Sequence, residues 1–154
     1  MKYLKLPTVE LNKKLLKKII FLKNKTWKYG VKSNLTWFEK NIKKNDTHLM
    51  LFQNQLLVGY VCFRSTDFNI FKTDKDFLLL DTFNIRKSYR DKGFGKKLIL
   101  LSNEYIKKRN KKSILFCDSK IKSFYKKHGW KIKNKKNFFK KNLFKKKIFM
   151  GFNF

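Results

Sequence analysis

Two glycines, Gly93 and Gly95, stand in a basic stretch that could bind a phosphate group. The stretch lies between an apolar run, residues 77–85, and apolar residues at helical spacing, which predicts a turn from a strand into a helix. Glycines at such a turn let successive backbone N–H groups point to one place, and a helix N-terminus adds partial positive charge there. The local sequence therefore predicts a pyrophosphate cradle. A turn that needs glycine only for its backbone conformation is the alternative.

Asp81 is an acidic residue inside the same apolar run. A carboxylate is costly to bury unless it is paired or functional. Two interpretations stay open at this point: a carboxylate with a role in chemistry, and an acid that is salt-bridged to one of the many lysines.

The elements that must position these residues begin with a short strand and a helix. Leu4 and Leu6 alternate before Pro7, which indicates the strand. Thr8 is the expected N-cap of the helix, and Glu10 lies in its first turn. The apolar face of this helix consists of Leu11, Leu15, Ile19 and Leu22.

A second short helix and a hairpin follow. Ser33 or Asn34 is the expected N-cap of this helix. Apolar runs at residues 48–52 and 56–63, separated by three polar residues, indicate an antiparallel hairpin. A polar loop, residues 64–76, leads to the next apolar run.

The glycine turn opens a crossover helix. Residues 94–105 carry apolar side chains at helical spacing, and the apolar residues 114–117 follow as a strand. The strands on either side of the helix should therefore be parallel. A further short helix around Tyr125 should end at Gly129, a residue suited to the position just after a helix.

Residues 131–154 are rich in Lys, Asn and Phe, and they fit two structures. One is a pair of strands near residues 130–132 and 148–150, and the other is a helix with Phe139 and Ile148 on its apolar face. The elements together predict an α/β fold in a single domain, residues 1–154.

The charge of the chain is strongly positive: 40 Lys and Arg residues against 10 Asp and Glu residues leave a formal net charge of +30. This excess favours nucleic acid, phosphate-bearing ligands or an anionic membrane as partners. Compositional bias explains it equally well, because nearly all the cations are Lys and few Arg are present for bidentate base contacts.

The sequence predicts a cytoplasmic protein without a metal. No apolar run approaches the roughly 18 residues of a membrane span, and the N-terminus lacks the features of a secretory signal. Cys62 and Cys117 stand alone, which argues against a disulfide framework or a Cys-based zinc site. His48 and His128 have no further ligands at metal-binding spacing.

Two motifs resemble those of the Gcn5-related N-acetyltransferase (GNAT) family. Arg90-Asp91-Lys92-Gly93-Phe94-Gly95 is similar to the family signature Arg/Gln-x-x-Gly-x-Gly/Ala at this strand-helix turn, and Phe124-Tyr125-Lys126-Lys127-His128-Gly129-Trp130 is similar to its aromatic-Tyr-x-x-x-Gly-aromatic segment. The order and spacing match over residues 49–130. The resemblance implies a mixed central sheet, splayed between its fourth and fifth strands and flanked by helices, with the pantetheine arm of acetyl-CoA in the opening.

The resemblance also implies which residues bind acetyl-CoA. The backbone amides of the signature would contact the pyrophosphate, and the next strand upstream would contact the pantetheine and the acetyl carbonyl. Asp118 falls where many members carry an Asn that touches the cofactor; capping of the following helix is the alternative. The implied cofactor-binding residues are Phe83, Asn84, Ile85, Arg90, Asp91, Lys92, Gly93, Phe94, Gly95, Lys96 and Asp118.

Two residues are implied in catalysis. Tyr125 matches the family's frequent general acid, which protonates the departing thiolate; a core aromatic with a polar tip is the alternative. An amine with a pKa of about 10 must lose a proton before it attacks, and Asp81 is the best candidate for the base, directly or through water. The aminoglycoside 2′-N-acetyltransferases, a branch of the family, are similar in carrying an acid at this offset and a Gly-Trp ending.

The predicted function is direct transfer of the acetyl group of acetyl-CoA to a primary amine of a small molecule or amino sugar, without a covalent enzyme intermediate. Two alternatives stay open. The same chemistry could act on a macromolecule: a protein N-terminus, a ribosomal protein or an aminoacyl-tRNA. A non-catalytic binder of nucleic acid or membrane surfaces would instead use aromatics and lysines at residues 138–141 and 144–147.

Overall fold

The computed structural model describes residues 1–65, 77–140 and 146–154 of the chain. The strands in these ranges are β1 (Lys2–Pro7), β2 (Thr47–Gln53), β3 (Leu56–Ser65), β4 (Phe77–Ile85), β5 (Lys112–Cys117), β6 (Lys131–Ile132) and β7 (Ile148–Phe152). The α-helices are α1 (Lys13–Thr26), α2 (Val31–Asn41), α3 (Phe94–Lys108) and α4 (Lys122–Lys127). The strands form one mixed sheet in the order β1-β2-β3-β4-β5-β7-β6, which confirms the predicted α/β class.

The first helix begins later than predicted. Asn12, not Thr8, caps α1, because the Asn12 side chain accepts a hydrogen bond from the backbone N–H of Leu15 at 2.9 Å. Thr8 belongs to a separate 3-10 turn that ends β1, and its hydroxyl donates to the backbone oxygen of Asp46 at 3.1 Å. The Thr8 hydroxyl therefore joins the ends of two strands instead of capping a helix.

The second helix begins earlier than predicted. Val31 is its first residue, and Gly30 precedes it with a φ of 91°, a backbone conformation that favours glycine. Asn34 is buried within α2, and its side-chain amide donates to the backbone oxygens of Trp27 and Gly30 at 3.2 and 3.0 Å. Asn34 thus closes the turn between α1 and α2, and neither it nor Ser33 is the N-cap.

β4 joins two differently paired parts of the sheet. β1, β2, β3 and β4 are antiparallel neighbours, whereas β4 pairs in parallel with β5. This parallel pairing involves only Phe77–Leu79 opposite Lys112–Ile114, so beyond Leu79 the two strands separate. The predicted hairpin, crossover and splayed sheet are confirmed. Of the predicted polar loop, Arg64 and Ser65 belong to β3, and the rest lies outside the described residues.

Helices cover both faces of the sheet. On one face, Leu98 of α3 belongs to the same hydrophobic cluster as Phe63 of β3. On the other face, Ile19 and Leu22 of α1 are fully buried in a cluster with Tyr60. Because strand residues alternate between the two faces, each helix layer contacts its own set of strand side chains.

The C-terminal part completes the sheet. β7 lies between β5 and β6 and is antiparallel to both, which confirms the interpretation as two strands. Phe139 is buried outside any helix, in a cluster with Phe77 and Phe149, and Ile148 begins β7. The alternative, a helix with these residues on one face, is therefore wrong.

His48 is the centre of a buried polar chain beneath α2. Its side chain is 0% exposed, with Nε2 at 2.9 Å from the Thr8 hydroxyl and Nδ1 at 2.8 Å from the Tyr60 hydroxyl. The imidazole ring also stacks against the rings of Phe38 and Tyr60. Burial lowers the pKa of His48 to about 4, because a charged imidazole loses its hydration there.

This lowered pKa predicts an acid-sensitive fold. The unfolded chain binds a proton at His48 near pH 6.5 and the folded chain only near pH 4, so stability falls as the pH drops across that window, by about 3 kcal/mol. His48→Gln, which cannot ionise, should reduce the fall, as measured by urea unfolding at pH 7 and pH 4.5. His128→Gln is the matched control and should keep the fall. An unchanged pH dependence in His48→Gln would contradict the assignment.

Candidate active site

The glycine stretch forms a loop that connects β4 to α3. Arg90 anchors the start of this loop to the end of β4, because the Arg90 Nε donates to the backbone oxygen of Ile85 at 3.1 Å. Asp91 and Gly93 then take positive φ angles of 58° and 81°, which turn the chain sharply into the first residue of α3, Phe94. The predicted turn from strand to helix is confirmed, and Gly93 occupies the left-handed conformation that favours glycine.

The backbone of this loop offers a row of free donors. In the described part of the chain, the N–H groups of Asp91–Lys96 have no hydrogen-bond acceptor, and the bond from Lys97 N to Gly93 O at 3.0 Å is the first one of α3. The first N–H groups of a helix have no partner within the helix, and they carry its partial positive charge. This row of donors fits an anionic group such as a pyrophosphate.

Gly95 has a different role from Gly93. A Cβ at position 95 would lie 3.6 Å from the ring of Phe124 and 3.9 Å from Ile85, which is ordinary contact. Alanine therefore fits at this position, whereas a branched side chain would occupy the space between α3 and the ring of Phe124.

Tyr125 lies on α4, beside the opening of the sheet. Its ring contacts Phe83 of β4 at 5.8 Å and Trp130 at 6.2 Å between ring centroids. α4 ends as predicted: Gly129 has a φ of 87°, and Trp130 N donates to Tyr125 O at 3.2 Å. Burial, with a smaller contribution from Cys117, raises the pKa of Tyr125 above its ordinary value near 10. Its hydroxyl, which has no hydrogen-bond partner among the described residues, therefore stays protonated at neutral pH.

Asp81 lies at a bulge of β4. Its Oδ2 accepts from Arg64 Nη1 at 2.7 Å, and its Oδ1 accepts from Thr82 N at 2.6 Å. The pairing with β3 shifts register between Tyr60 and Cys62, and Thr82 has a φ of 56°, unusual for a β-branched residue. Asp81 thus stabilises the bulge and forms an ion pair. Its partner is Arg64, whereas the sequence suggested a lysine. The Thr82 hydroxyl also donates to Oδ1 at 3.3 Å, and because a carboxylate has about four acceptor sites, one further hydrogen bond is still available.

Asn84 connects β4 to α1 by hydrogen bonds. The Asn84 side chain donates to Leu22 O at 3.1 Å and accepts from the Thr26 hydroxyl at 2.9 Å. These two bonds use the side chain of Asn84 and not its backbone. Asn84 lies between Phe83 and Ile85 on the part of β4 that has separated from β5.

Asp118 does not meet the other predicted site residues. It follows β5, is exposed, and accepts from Lys147 Nζ at 2.6 Å. Its side chain makes no capping bond to the following 3-10 turn, Ser119–Ile121, so the capping alternative is wrong. Cys117, one residue earlier, is buried with its sulfur 3.8 Å from the sulfur of Met150, and burial raises its thiol pKa.

Sequence reasoning missed Lys23. This lysine of α1 is only 5% exposed, and its Nζ lies 3.5 Å from the ring centroid of Trp37. Burial, partly offset by the charge of Asp81, lowers its pKa to about 8. Its spacing of four residues from Ile19 on the apolar face of α1 is the signal that could have found it.

Two other kinds of site, a metal centre and a membrane-spanning helix, are absent from the described residues. Within these ranges, His, Cys, Asp and Glu residues nowhere gather in the groups of three that could hold a metal ion. In the same ranges, every helix is too short or too polar to cross a bilayer.

The acetyltransferase (GNAT) family profile matches residues 16–130. The match covers most of the chain, which therefore belongs to this family. The predicted enzyme class, an acetyl-CoA-dependent N-acetyltransferase, is confirmed by it. A search of the curated proteins found no match to this sequence.

Solved structures share the fold at low sequence identity. ElaA from Escherichia coli is 15% identical, with a TM-score of 0.73 and 98% of each chain covered. The PaiA N-acetyltransferase of Thermoplasma acidophilum, solved with coenzyme A, is 18% identical, with a TM-score of 0.65 and 100% of each chain covered. An aminoglycoside 6′-N-acetyltransferase, also complexed with coenzyme A, is 16% identical, with a TM-score of 0.70 over 96% of this chain and 95% of that one. These likenesses show the fold alone, so the branch resemblance stays a prediction.

Proposed function

We propose that this chain transfers the acetyl group of acetyl-CoA directly to a primary amine of a small molecule. The observation that carries the proposal is the row of free N–H donors at Asp91–Lys96, placed beside the opening where β4 leaves β5. The family match supports the reaction, and two of the structural relatives are solved with coenzyme A.

The residues present fit the cosubstrate. The free amides of Asp91–Lys96 would bind the pyrophosphate, and exposed Lys92 and Lys96 would add positive charge near it. The backbone of Phe83–Ile85 would bind the pantetheine arm, since in the described ranges no strand pairs with this part of β4 on its β5 side. When bound, acetyl-CoA supplies an acetyl group on a thioester, which is reactive toward a neutral amine.

Tyr125 and Asp81 supply the two proton-transfer groups that amine acetylation needs. The Tyr125 hydroxyl is protonated and unpaired among the described residues, so it is able to give a proton to the leaving thiolate. The Asp81 carboxylate has one acceptor site left after its bonds to Arg64 and Thr82, and it would take the proton of the acceptor amine, directly or through water.

The packing of the tail argues against a non-catalytic nucleic-acid binder. Phe139 is 3% exposed, and Phe138 packs against Phe77, Phe149 and Phe154. Neither ring is free to stack on a base, as a single-strand binder requires. Phe144 lies outside the described residues.

The cosubstrate site is tested by a pair of glycine variants. Gly93→Val should abolish the thermal stabilisation that saturating acetyl-CoA gives the wild type, because a side chain at a φ of 81° distorts the row of amides. Gly30→Val is the matched control: Gly30 also has a positive φ and open space around it, but it lies at α2. Its shift with acetyl-CoA should remain. Absence of any shift in the wild type would overturn the proposed function.

Tyr125→Phe and Asp81→Asn test the proton-transfer roles. Each should lower kcat by roughly 10²- to 10⁴-fold while acetyl-CoA affinity stays nearly unchanged, as expected for lost acid-base catalysis. Asn at position 81 keeps an acceptor for Thr82 N, which protects the bulge. Tyr89→Phe is the control, because the Tyr89 ring packs on Phe94 beside the cofactor loop. Unaltered turnover in either variant would remove that residue from the mechanism.

The tail charges test the class of acceptor. For a small cationic amine, replacing Lys140, Lys141, Lys145 and Lys146 by Gln should leave kcat/KM unchanged or slightly raised, more visibly at low salt, because these cations repel the substrate. Turnover would be measured at two salt concentrations. The control is a variant in which four exposed lysines of α1 are replaced by Gln. Tight, salt-sensitive RNA binding that disappears in the tail variant would instead favour a macromolecular acceptor.

A further inference from the structure

Lys23 is held close to the segment of β4 assigned to acetyl-CoA. The residue before it, Leu22, accepts a hydrogen bond from the side chain of Asn84 through its backbone oxygen at 3.1 Å. Three residues later, the Thr26 hydroxyl donates to the same side chain at 2.9 Å. The turn of α1 that carries Lys23 is therefore fastened to β4 at Asn84, in the middle of the stretch Phe83–Ile85.

The Lys23 amine has an unusual environment. Its Nζ packs on the ring of Trp37 at 3.5 Å, and among the described residues it has no hydrogen-bond or ion-pair partner. Arg64, whose guanidinium lies 5.4 Å from the same ring, adds a second positive charge. The groups that face Lys23 are Asp81 of β4, Cys62 and Arg64 of β3, and Trp37 of α2.

We propose that Lys23 is an internal acetyl acceptor, so that the protein acetylates its own Lys23 side chain from bound acetyl-CoA. This inference rests on the proposed function, since it uses the same acetyl donor in the same opening of the sheet. It adds a modification site to the acetyl-transfer activity.

The reaction is a simple acyl transfer. The lone pair of neutral Nζ attacks the thioester carbonyl carbon, an N–C bond forms, and the C–S bond breaks. The nitrogen gives its extra proton to Asp81 or to water, and the CoA thiolate takes a proton from Tyr125 or from water. The products are an amide at Lys23 and free CoA, and neither an oxidant nor a reductant is needed.

Chemistry favours Lys23 over the many other lysines. Its pKa of about 8 makes about half of the amine neutral at pH 8, a fraction on the order of 100-fold larger than for a lysine of ordinary pKa. The attraction of Asp81 opposes this shift, and burial outweighs it. The rate at Lys23 should therefore rise with pH up to about 8 and then level off, as the neutral form becomes dominant.

Acetylation would change the cluster around Trp37. An acetamide has no charge, so the cation on the Trp37 ring is lost, and so is the attraction between Lys23 and Asp81. Arg64 then remains as the cation bonded to Asp81. The modification would thus lower the positive charge next to the proposed base.

The experiment maps acetylation in the intact protein. Wild type and Gly93→Val are incubated at pH 8 with isotopically labelled acetyl-CoA, and label at each lysine is followed by peptide mass spectrometry. Lys25, which is exposed two residues further along α1, is the internal reference. We expect label at Lys23 to form at least about 10-fold faster than at Lys25, because burial keeps a large part of the Lys23 amine neutral at this pH. We also expect a rate constant that is unchanged on dilution of the protein.

Gly93→Val separates enzymatic from spontaneous labelling. It should remove the fast phase at Lys23 and leave the slow label at Lys25. Equal rates at the two lysines, or fast labelling of Lys23 that persists in Gly93→Val, would overturn the inference. Thermal stabilisation of the wild type by acetyl-CoA without label at Lys23 would overturn the Lys23 inference and leave the proposed function intact. Absence of that stabilisation in the wild type would overturn both the inference and the proposed function.

Discussion

The short parallel pairing of β4 with β5 is the constraint on which the rest of the site depends. Three residues of each strand pair, and then the strands separate, so among the described residues the backbone of Phe83–Ile85 has no partner strand on that side. Unpaired backbone donors and acceptors in a sheet are normally covered by another strand or a ligand. The loop of free amides starts where β4 ends, and α4 with Tyr125 starts after β5 ends. The opening therefore brings both ends of the site together.

The bulge in β4 distributes side chains between the two faces of the sheet. Residues two apart on a regular strand share a face, yet Asp81 bonds Arg64 on the α1 and α2 side while the Phe83 ring meets Phe124 on the α4 side. The positive φ of Thr82 accounts for this change of face. As a result, the ion pair of Asp81 with Arg64 lies on one side of β4, and the aromatic contact of Phe83 with Phe124 lies on the other.

The sequence was sufficient for features that depend on local patterns. The glycine turn, the crossover helix, the parallel strand pair and the Gly129 helix end all follow from periodicity and from the backbone needs of glycine. The helix caps were not predictable, because Asn12, Asn34 and Thr8 are all capable caps and tertiary contacts decide which of them acts. Propensity alone carries no information on such contacts.

In the candidate site, too, features set by local sequence were predictable and features set by tertiary contacts were not. The free amides at the start of α3 were predictable, since any helix start leaves them unpaired. The partner of Asp81 was not, because Arg64 lies on another strand and only the register of β3 against β4 brings them together. The spacing of Lys23 from Ile19 places it on the apolar face of α1, but its burial follows from the packing of Trp37 of α2 onto α1. Each miss involves a contact between residues on different elements.

The position of β7 has a consequence for the order in which the sheet forms. β1 to β4 are connected by pairings between consecutive strands, whereas β5 pairs with β7, and β6 pairs with β7 at the edge of the sheet as far as the described residues show. The register gives the chain distances that these pairings close: Gln53 pairs with Leu56, three residues away, whereas Cys117 pairs with Ile148, 31 residues away, and Pro7 with Thr47, 40 residues away. Because closing a longer loop costs more entropy, the β2-β3 hairpin should form first, and β1, β5 and β7 should join it later. The three-residue pairing of β4 with β5 connects the two parts of the sheet, so the candidate site between them is complete only when both parts are folded.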